Sequence, residues 1–327
     1  MGEDSGHQQR RLASFQQQIN TLLEAHINGQ IAQGAGEVAV ESKRVLMAGG
    51  KRLRPVLMMI AYEVCGGTNQ EDIIPLALAF ELIHTATLVH DDIYDDAVQR
   101  RGVKTIHASK GLAKGVIAGD WLFVQGFGLG GKYEAEIVDL VSEYCSQIAQ
   151  SEFLQLDRVM DLKTSPEDYL SIVIGKTAGP FAAGCKAAAI LANCSIEQQL
   201  HMQDFGRELG IAFQLVDDLL DIRGDERMGK PRGADIYEGK MTLPLIHSLT
   251  LSHGQRRERL AYLIKNFADN YFDELIELLN ASDSLNYTEI LINNHIERAR
   301  ESLLTMPQND ATQLMLWLTE FMQHREV

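Results

Sequence analysis

Proline and cysteine are both scarce: seven and four residues in a chain of 327. So little proline excludes a proline-rich linker or a collagen-like chain. The cysteines, at 65, 145, 185 and 194, form no CxxC pair and no zinc-ligand spacing. They fit buried thiols in a reducing compartment rather than a disulfide framework. Positive charge is short too, with 30 Lys and Arg against 45 Asp and Glu and a net charge of −15. A nucleic-acid partner needs a basic footprint, so none is expected. An uninterrupted apolar run is missing: the longest, 73–90, contains Pro75, Glu81, His84 and His90, and no stable membrane anchor is expected. The opening MGEDSGHQQRRLASF lacks the apolar core of a signal peptide. Residues 1–10 read as a mobile polar tail, residues 11–327 as one cytoplasmic domain.

Runs that alternate with period two are also scarce. Apolar positions instead recur at three- and four-residue spacing, as in Leu53–Leu57–Ile60–Val64 and Leu209–Phe213–Val216–Leu220. Breaks fall at CGGTNQED (65–72), TSPED (164–168), ANCSIEQ (192–198), DERMGKPRG (225–233) and TMPQND (305–310). Ser165 before Pro166 has the form of a helix N-cap with proline at the first helical position. The expected fold is all-α, a single array of ten or more helices. The segments around 73–98 and 195–222 are apolar over most of their faces, as central helices are.

Two acidic clusters end those two segments. In LVHDDIYDDAVQRRG (88–102), Asp91 and Asp95 are four apart and share a helix face, with Asp92 about 100° round. FQLVDDLLD (213–221) repeats the spacing with Asp217, Asp218 and Asp221. One such cluster alone reads equally well as a solvated helix end. The second sits among Phe213, Leu215, Val216, Leu219 and Leu220, where a solvated face is not expected. Two sets of hard oxygen ligands, with no histidine or thiolate set, favour Mg²⁺, whose remaining ligands are commonly substrate phosphates. The D-x-D-x-D-G order of an EF-hand is absent.

Basic groups supply the complement. AGGKRLRP (48–55) places Lys51, Arg52 and Arg54 after a glycine pair, without the G-x-x-x-x-G-K-[ST] of a nucleotide P-loop. Arginine forks suit phosphate oxygens, although a charged helix start is an equally ordinary reading. Arg100 and Arg101 follow the first cluster, where neutralisation of the carboxylates is the plain alternative. GKTAG (175–179), Gln214 and GKPRGADIYEGKMTLP (229–244) add Lys176, Thr177, Lys230, Asp235 and Lys240.

Together, GGKRLRP, ELIHTATLVHDDIYDDAVQRRG, AGD, GKTAG, FQLVDDLLD and GKPRGADIYEGKMTLPL, in order over roughly 40–250, resemble the trans-isoprenyl diphosphate synthases. That family includes farnesyl, geranylgeranyl and longer polyprenyl diphosphate synthases. The resemblance implies an isoprenoid-synthase-type helical bundle around a deep central cavity, about three Mg²⁺ ions and a homodimer. It implies that Asp91, Asp92 and Asp95, with Asp217, Asp218 and Asp221, bind metal and the allylic diphosphate. Arg100 resembles the arginine of that diphosphate; Lys51, Arg54, His84 and Arg101 resemble the isopentenyl diphosphate site. Lys176, Thr177, Gln214, Lys230 and Lys240 resemble the allylic lining. The chain ends QHREV, unlike the basic tail that closes many short-chain enzymes.

Product length is expected to depend on what lies beneath the first acidic set. Thr87 and Ala86 lie four and five residues before Asp91, roughly 6–7.5 Å along a helix. These small residues would leave a cavity open and match medium- and long-chain members. The expected product is a C30–C50 polyprenyl diphosphate for a quinone side chain, made from isopentenyl diphosphate and a farnesyl or geranyl diphosphate primer. Release of such a product implies transient membrane contact. Three alternatives stand beside this: a short-chain synthase, a class I terpene cyclase, and a chain-length-setting subunit of a heteromeric synthase. The six aspartates weigh against the last, and the GGKRLRP pocket against the cyclase.

Overall fold

The computed structural model describes residues 2–224 and 232–323. Its described residues form helices almost throughout, and the sheet among them is one two-stranded hairpin. They group into two compact units, each threaded by the chain several times. The first comprises Met1–Val141, Gly184–Gln199 and Met306–Trp317; the second comprises Ser142–Ala183, Leu200–Thr305 and Leu318–Val327.

In the first unit, α1 (Gly2–Ala32), α2 (Gly36–Leu46), α3 (Leu53–Val64) and α6 (Leu112–Gly130) pack around α4 (Gln70–Tyr94). The expected polar tail is not separate, since helix α1 begins at Gly2. The apolar stripe Leu12, Phe15, Ile19, Leu23 and Ile27 is buried, Gln8 continues it inward, and Ser5 Oγ accepts from Trp317 Nε1 at 3.2 Å. Packing of the stripe carries the helix back through the polar start.

Helix α4 begins at Asn69, whose side chain caps the Glu71 amide, with Glu71 and Asp72 in its first turn. It is long and apolar enough to cross a membrane, but 67% of its apolar window is buried within the protein. Pro75 lacks an N–H and its ring crowds the preceding turn. The Tyr133 hydroxyl fills the opening, accepting from Leu76 N–H at 3.1 Å and donating to the Asp72 carbonyl at 2.8 Å. Helix α6 approaches α4 through glycines: a methyl at Gly119 would lie 2.1 Å from His90 Nε2, and one at Gly126 2.6 Å from Ile83 Cγ1. After α4, β1 (Gln99–Arg100) pairs antiparallel with β2 (Val103–Lys104). Arg101 and Gly102, both at positive φ, make the tight turn between them.

The second unit contains α8 (Pro166–Val173), a π-helical turn (Ile174–Ala178), the start of α9 (Gly179–Leu191) and most of α10 (Ile196–Arg223). Ser165 and Asp168 form a full capping box with Pro166 in the first turn, as the sequence predicts. Glycine again sets a close approach: a methyl at Gly210 would lie 2.5 Å from Ala178 Cα. That contact brings α10 against the π-turn. Helices α12 (Leu243–Leu251), α14 (Phe272–Ala281) and α15 (Ser284–Leu304) pack on one another.

Candidate active site

The end of helix α4 carries the first acidic set, with Asp95 as its C-cap, and the hairpin brings Arg100 to it. Asp92 is buried, 3% exposed, and Arg100 Nε donates to its Oδ1 at 2.5 Å. Burial raises the Asp92 carboxyl above the usual range and the Arg100 charge works against that rise. Asp91 and Asp95, one helical turn apart, are half-exposed. Thus two carboxylates of the set face outward together while the third is an internal ion pair.

The basic groups of the 48–55 and 100–101 segments lie in the same unit. Arg101 Nη1 donates to the Gly49 carbonyl at 2.5 Å, and Gly50 at φ +126° lies under the same guanidinium. Arg54 Nη1 lies 3.1 Å from His84 Nε2. A guanidinium only donates, so His84 Nε2 accepts and its ring proton belongs on Nδ1. Burial, then the charges of Arg54, Arg101, Arg100 and Arg52, hold the imidazole pKa well below 6.5. His84 is therefore a neutral orienter of Arg54. Lys51 is exposed. Arg52, read from the sequence as one of three possible anion-gripping cations, is buried instead. It pairs with Glu81 at 2.7 Å and donates to Asn20 Oδ1 and the Leu46 carbonyl.

The second acidic set, on α10, has the same division. Asp217 and Asp221 are half-exposed, and Asp218 is 2% exposed. Gln214 Nε2 donates to Asp218 Oδ1 at 2.8 Å, and Tyr169 Oη donates to Asp218 Oδ2 at 2.6 Å. Thr177 Oγ1, in the π-turn, donates to Gln214 Oε1 at 3.0 Å. Burial, with the nearby Asp235 and Asp217 charges, pushes the Asp218 carboxyl well up. Asp221 Oδ2 accepts from the Asp235 amide at 3.2 Å. Lys176 pairs with Glu152 at 2.7 Å and Lys240 with Glu238 at 2.5 Å. Lys230 lies outside the described residues. Tyr169 and Glu152 had no signal in the sequence beyond their residue types, because both reach the site from other helices.

Among the described residues, no three His, Cys, Asp or Glu side chains converge as a ready-made metal cage. The outward pairs Asp91–Asp95 and Asp217–Asp221 offer hard oxygens only, so a divalent ion there would need phosphate or water oxygens to complete its shell. Magnesium prefers that arrangement.

Residues 38–279 match the family model described as polyprenyl synthetase. The chain belongs to the polyprenyl synthetase family. It is 34% identical to the octaprenyl diphosphate synthase of Escherichia coli over 86% of this chain and 88% of that one. A short chain isoprenyl diphosphate synthase of Methanothermobacter thermautotrophicus is equally similar, 34% identical over 87% and 89%. The polyprenyl synthase of Caulobacter crescentus CB15, complexed with calcium and isoprenyl diphosphate, superposes with a TM-score of 0.89 at 33% identity, over 99% and 98% of the chains. This synthase is accordingly an all-α prenyltransferase of isoprenoid biosynthesis.

Thr87 and Ala86 occupy different surroundings. Thr87 is half-buried, and its hydroxyl donates to the His84 carbonyl at 2.7 Å. Ala86 is fully buried and falls on the same side of α4 as Ile83 and His90, which meet the glycines of α6.

Proposed function

We propose that this synthase is of the medium- to long-chain type. It condenses isopentenyl diphosphate, head to tail and in trans, with farnesyl or geranyl diphosphate to a C30–C50 product destined for a quinone side chain. The observation that carries this reading is the pair of small residues, Ala86 and Thr87, on α4 before the outward pair Asp91 and Asp95. Equal identity to a short-chain relative supports a second reading, a C15–C20 product.

In the proposed reaction the allylic C1–O bond breaks and its electron pair leaves with the diphosphate. Asp91, Asp95, Asp217 and Asp221 would hold about three Mg²⁺ ions, which act as Lewis acids on that leaving group. Asp92 and Asp218 complete the two motifs. Arg100, Lys176, Lys230 and Lys240 offset charge on the allylic diphosphate. Lys51, Arg54 and Arg101 bind isopentenyl diphosphate, with His84 fixing Arg54, so that its double bond attacks C1 at short range. Thr177 and Gln214 oxygens stabilise the allylic cation. The proton lost from the new carbon–carbon unit passes to the released diphosphate.

A homodimer is supported by exposed apolar residues on α6, among them Leu112, Ile117 and Val124 at 61%, 57% and 64%. Action in the cytoplasm, with transient membrane contact for product release, completes the proposal. The test is incubation with labelled isopentenyl diphosphate, Mg²⁺ and farnesyl diphosphate, followed by chromatography of the dephosphorylated alcohols. Alcohols of C30 or longer are expected; a distribution ending at C15–C20 selects the short-chain reading.

A further inference from the structure

Three hydrogen bonds in the second unit converge on Asp218. The Thr177 hydroxyl donates to Gln214 Oε1, Gln214 Nε2 donates to Asp218 Oδ1, and the Tyr169 hydroxyl donates to Asp218 Oδ2. Both Asp218 oxygens are thereby engaged inside the protein, and the side chain is 2% exposed. Oδ1 accepts from Gln214 and Oδ2 from Tyr169 in this arrangement, and an accepting oxygen admits only the NH₂ end of the neighbouring amide. The opposite end of Gln214 must then be oxygen, and that oxygen in turn aligns the Thr177 hydroxyl hydrogen toward itself. What remains at the Thr177 end is lone pairs.

We propose that Tyr169 and Asp218 are a positioning pair that locks the Gln214 amide, so that the electron-rich faces of Gln214 Oε1 and Thr177 Oγ1 are presented to the allylic cation. The inference rests on the reading of Thr177 and Gln214 as cation-stabilising groups, and it assigns roles to Tyr169 and Asp218 that differ from binding metal. Without the lock the amide has two orientations of similar energy, and one of them directs N–H donors at a developing positive charge. That orientation opposes ionisation, whereas binding of the diphosphate is untouched. Tyr169 matters because it occupies the second carboxylate oxygen; without it, Asp218 has a lone pair unmatched in a buried place and swings away from Gln214.

The experiment compares Tyr169→Phe and Asp218→Asn with Asp217→Ala in the full chain. Steady-state kinetics with farnesyl diphosphate, isopentenyl diphosphate and saturating Mg²⁺ give kcat and KM. Calorimetry gives the affinity for inorganic pyrophosphate in the presence of Mg²⁺. For Tyr169→Phe and Asp218→Asn, kcat should fall by about 10- to 100-fold, as removal of an oriented polar group does at a charge-developing centre. KM and pyrophosphate affinity should stay within about twofold, since uniform binding is unchanged. Asp217→Ala should lose both turnover and pyrophosphate affinity. Wild-type kcat in Tyr169→Phe, or a pyrophosphate affinity in Asp218→Asn weakened as much as in Asp217→Ala, would overturn the positioning role. Retained pyrophosphate affinity in Asp217→Ala would instead overturn the metal assignment beneath it. Tyr169→Phe removes one oxygen from a buried ring, and a Tm near that of the wild type identifies folded protein.

Discussion

The guanidinium of Arg101 lies on Gly50 so closely that a methyl there would stand 2.5 Å from Nη1. Gly50 also has φ +126°, a backbone conformation that alanine resists. Gly50→Ala should therefore displace Arg101 from its place over Gly49 and Gly50. The expected result is a KM for isopentenyl diphosphate raised about tenfold or more, the scale of one charge-assisted hydrogen bond. The KM for the allylic substrate should move little. Equal increases for both substrates would count against Arg101 as an isopentenyl-side group.

The outward carboxylates should be indispensable. Asp91→Ala or Asp217→Ala should each lower turnover by about three orders of magnitude or more at saturating Mg²⁺, because the leaving group loses its counter-charge. Near-normal kcat in either variant, measured by release of labelled product, would remove that aspartate from the metal set.

Product length separates Thr87 from Ala86. Thr87→Phe should shorten the dephosphorylated alcohols with little change in Tm, because its site is only half-buried. Ala86→Tyr should shorten them and also cost roughly 1–3 kcal/mol of stability, because the ring must be accommodated on the α4 side that α6 approaches. An unchanged product distribution in both variants excludes these positions as the floor.

His84 gives a pH signature. Burial, then Arg54, holds its folded-state pKa well below the ordinary 6.5. Below pH 6.5 the unfolded chain takes up a proton there and the folded one does not, so stability falls as pH falls. The slope for one such group is about 1.4 kcal/mol per pH unit. Comparing Tm of the wild type and His84→Gln between pH 7 and 5.5 isolates it, since glutamine keeps an acceptor for Arg54. The variant should show the shallower decline; parallel curves would mean that His84 is protonated in the folded protein.

The parts of the fold and site that were legible in the sequence are those fixed by neighbours in the chain. The Ser165 cap, the central helix expected around 73–98, which spans Gln70–Tyr94 and stops short of 98, and the paired aspartates on one face all follow from residues within a turn or two of each other. Arg52 and Arg54 looked alike because their difference depends on Glu81, on another helix. The hairpin after α4 was missed because its turn places a left-handed residue at Arg101, where sequence patterns lead one to expect asparagine or glycine. The π-turn at 174–178 was also invisible, since it depends on a close approach to α7 (Ala135–Asp157): a methyl at Gly175 would overlap Ser151 Oγ. That the middle aspartate of each motif faces inward was hidden as well: Arg100 stands near the first set in the sequence without marking which aspartate it pairs with, and Tyr169 reaches Asp218 from another helix.

The tyrosine that bridges the proline opening in α4 makes positions 75 and 133 a single unit of inheritance. With Pro75 present, losing the Tyr133 oxygen strands a buried amide and a carbonyl; with Pro75 replaced by alanine, ordinary helical bonds reclaim both groups and the hydroxyl becomes superfluous. Tyr133→Phe should thus be harmful alone and nearly harmless beside Pro75→Ala, so that Tyr133 is free to drift only after Pro75 has changed.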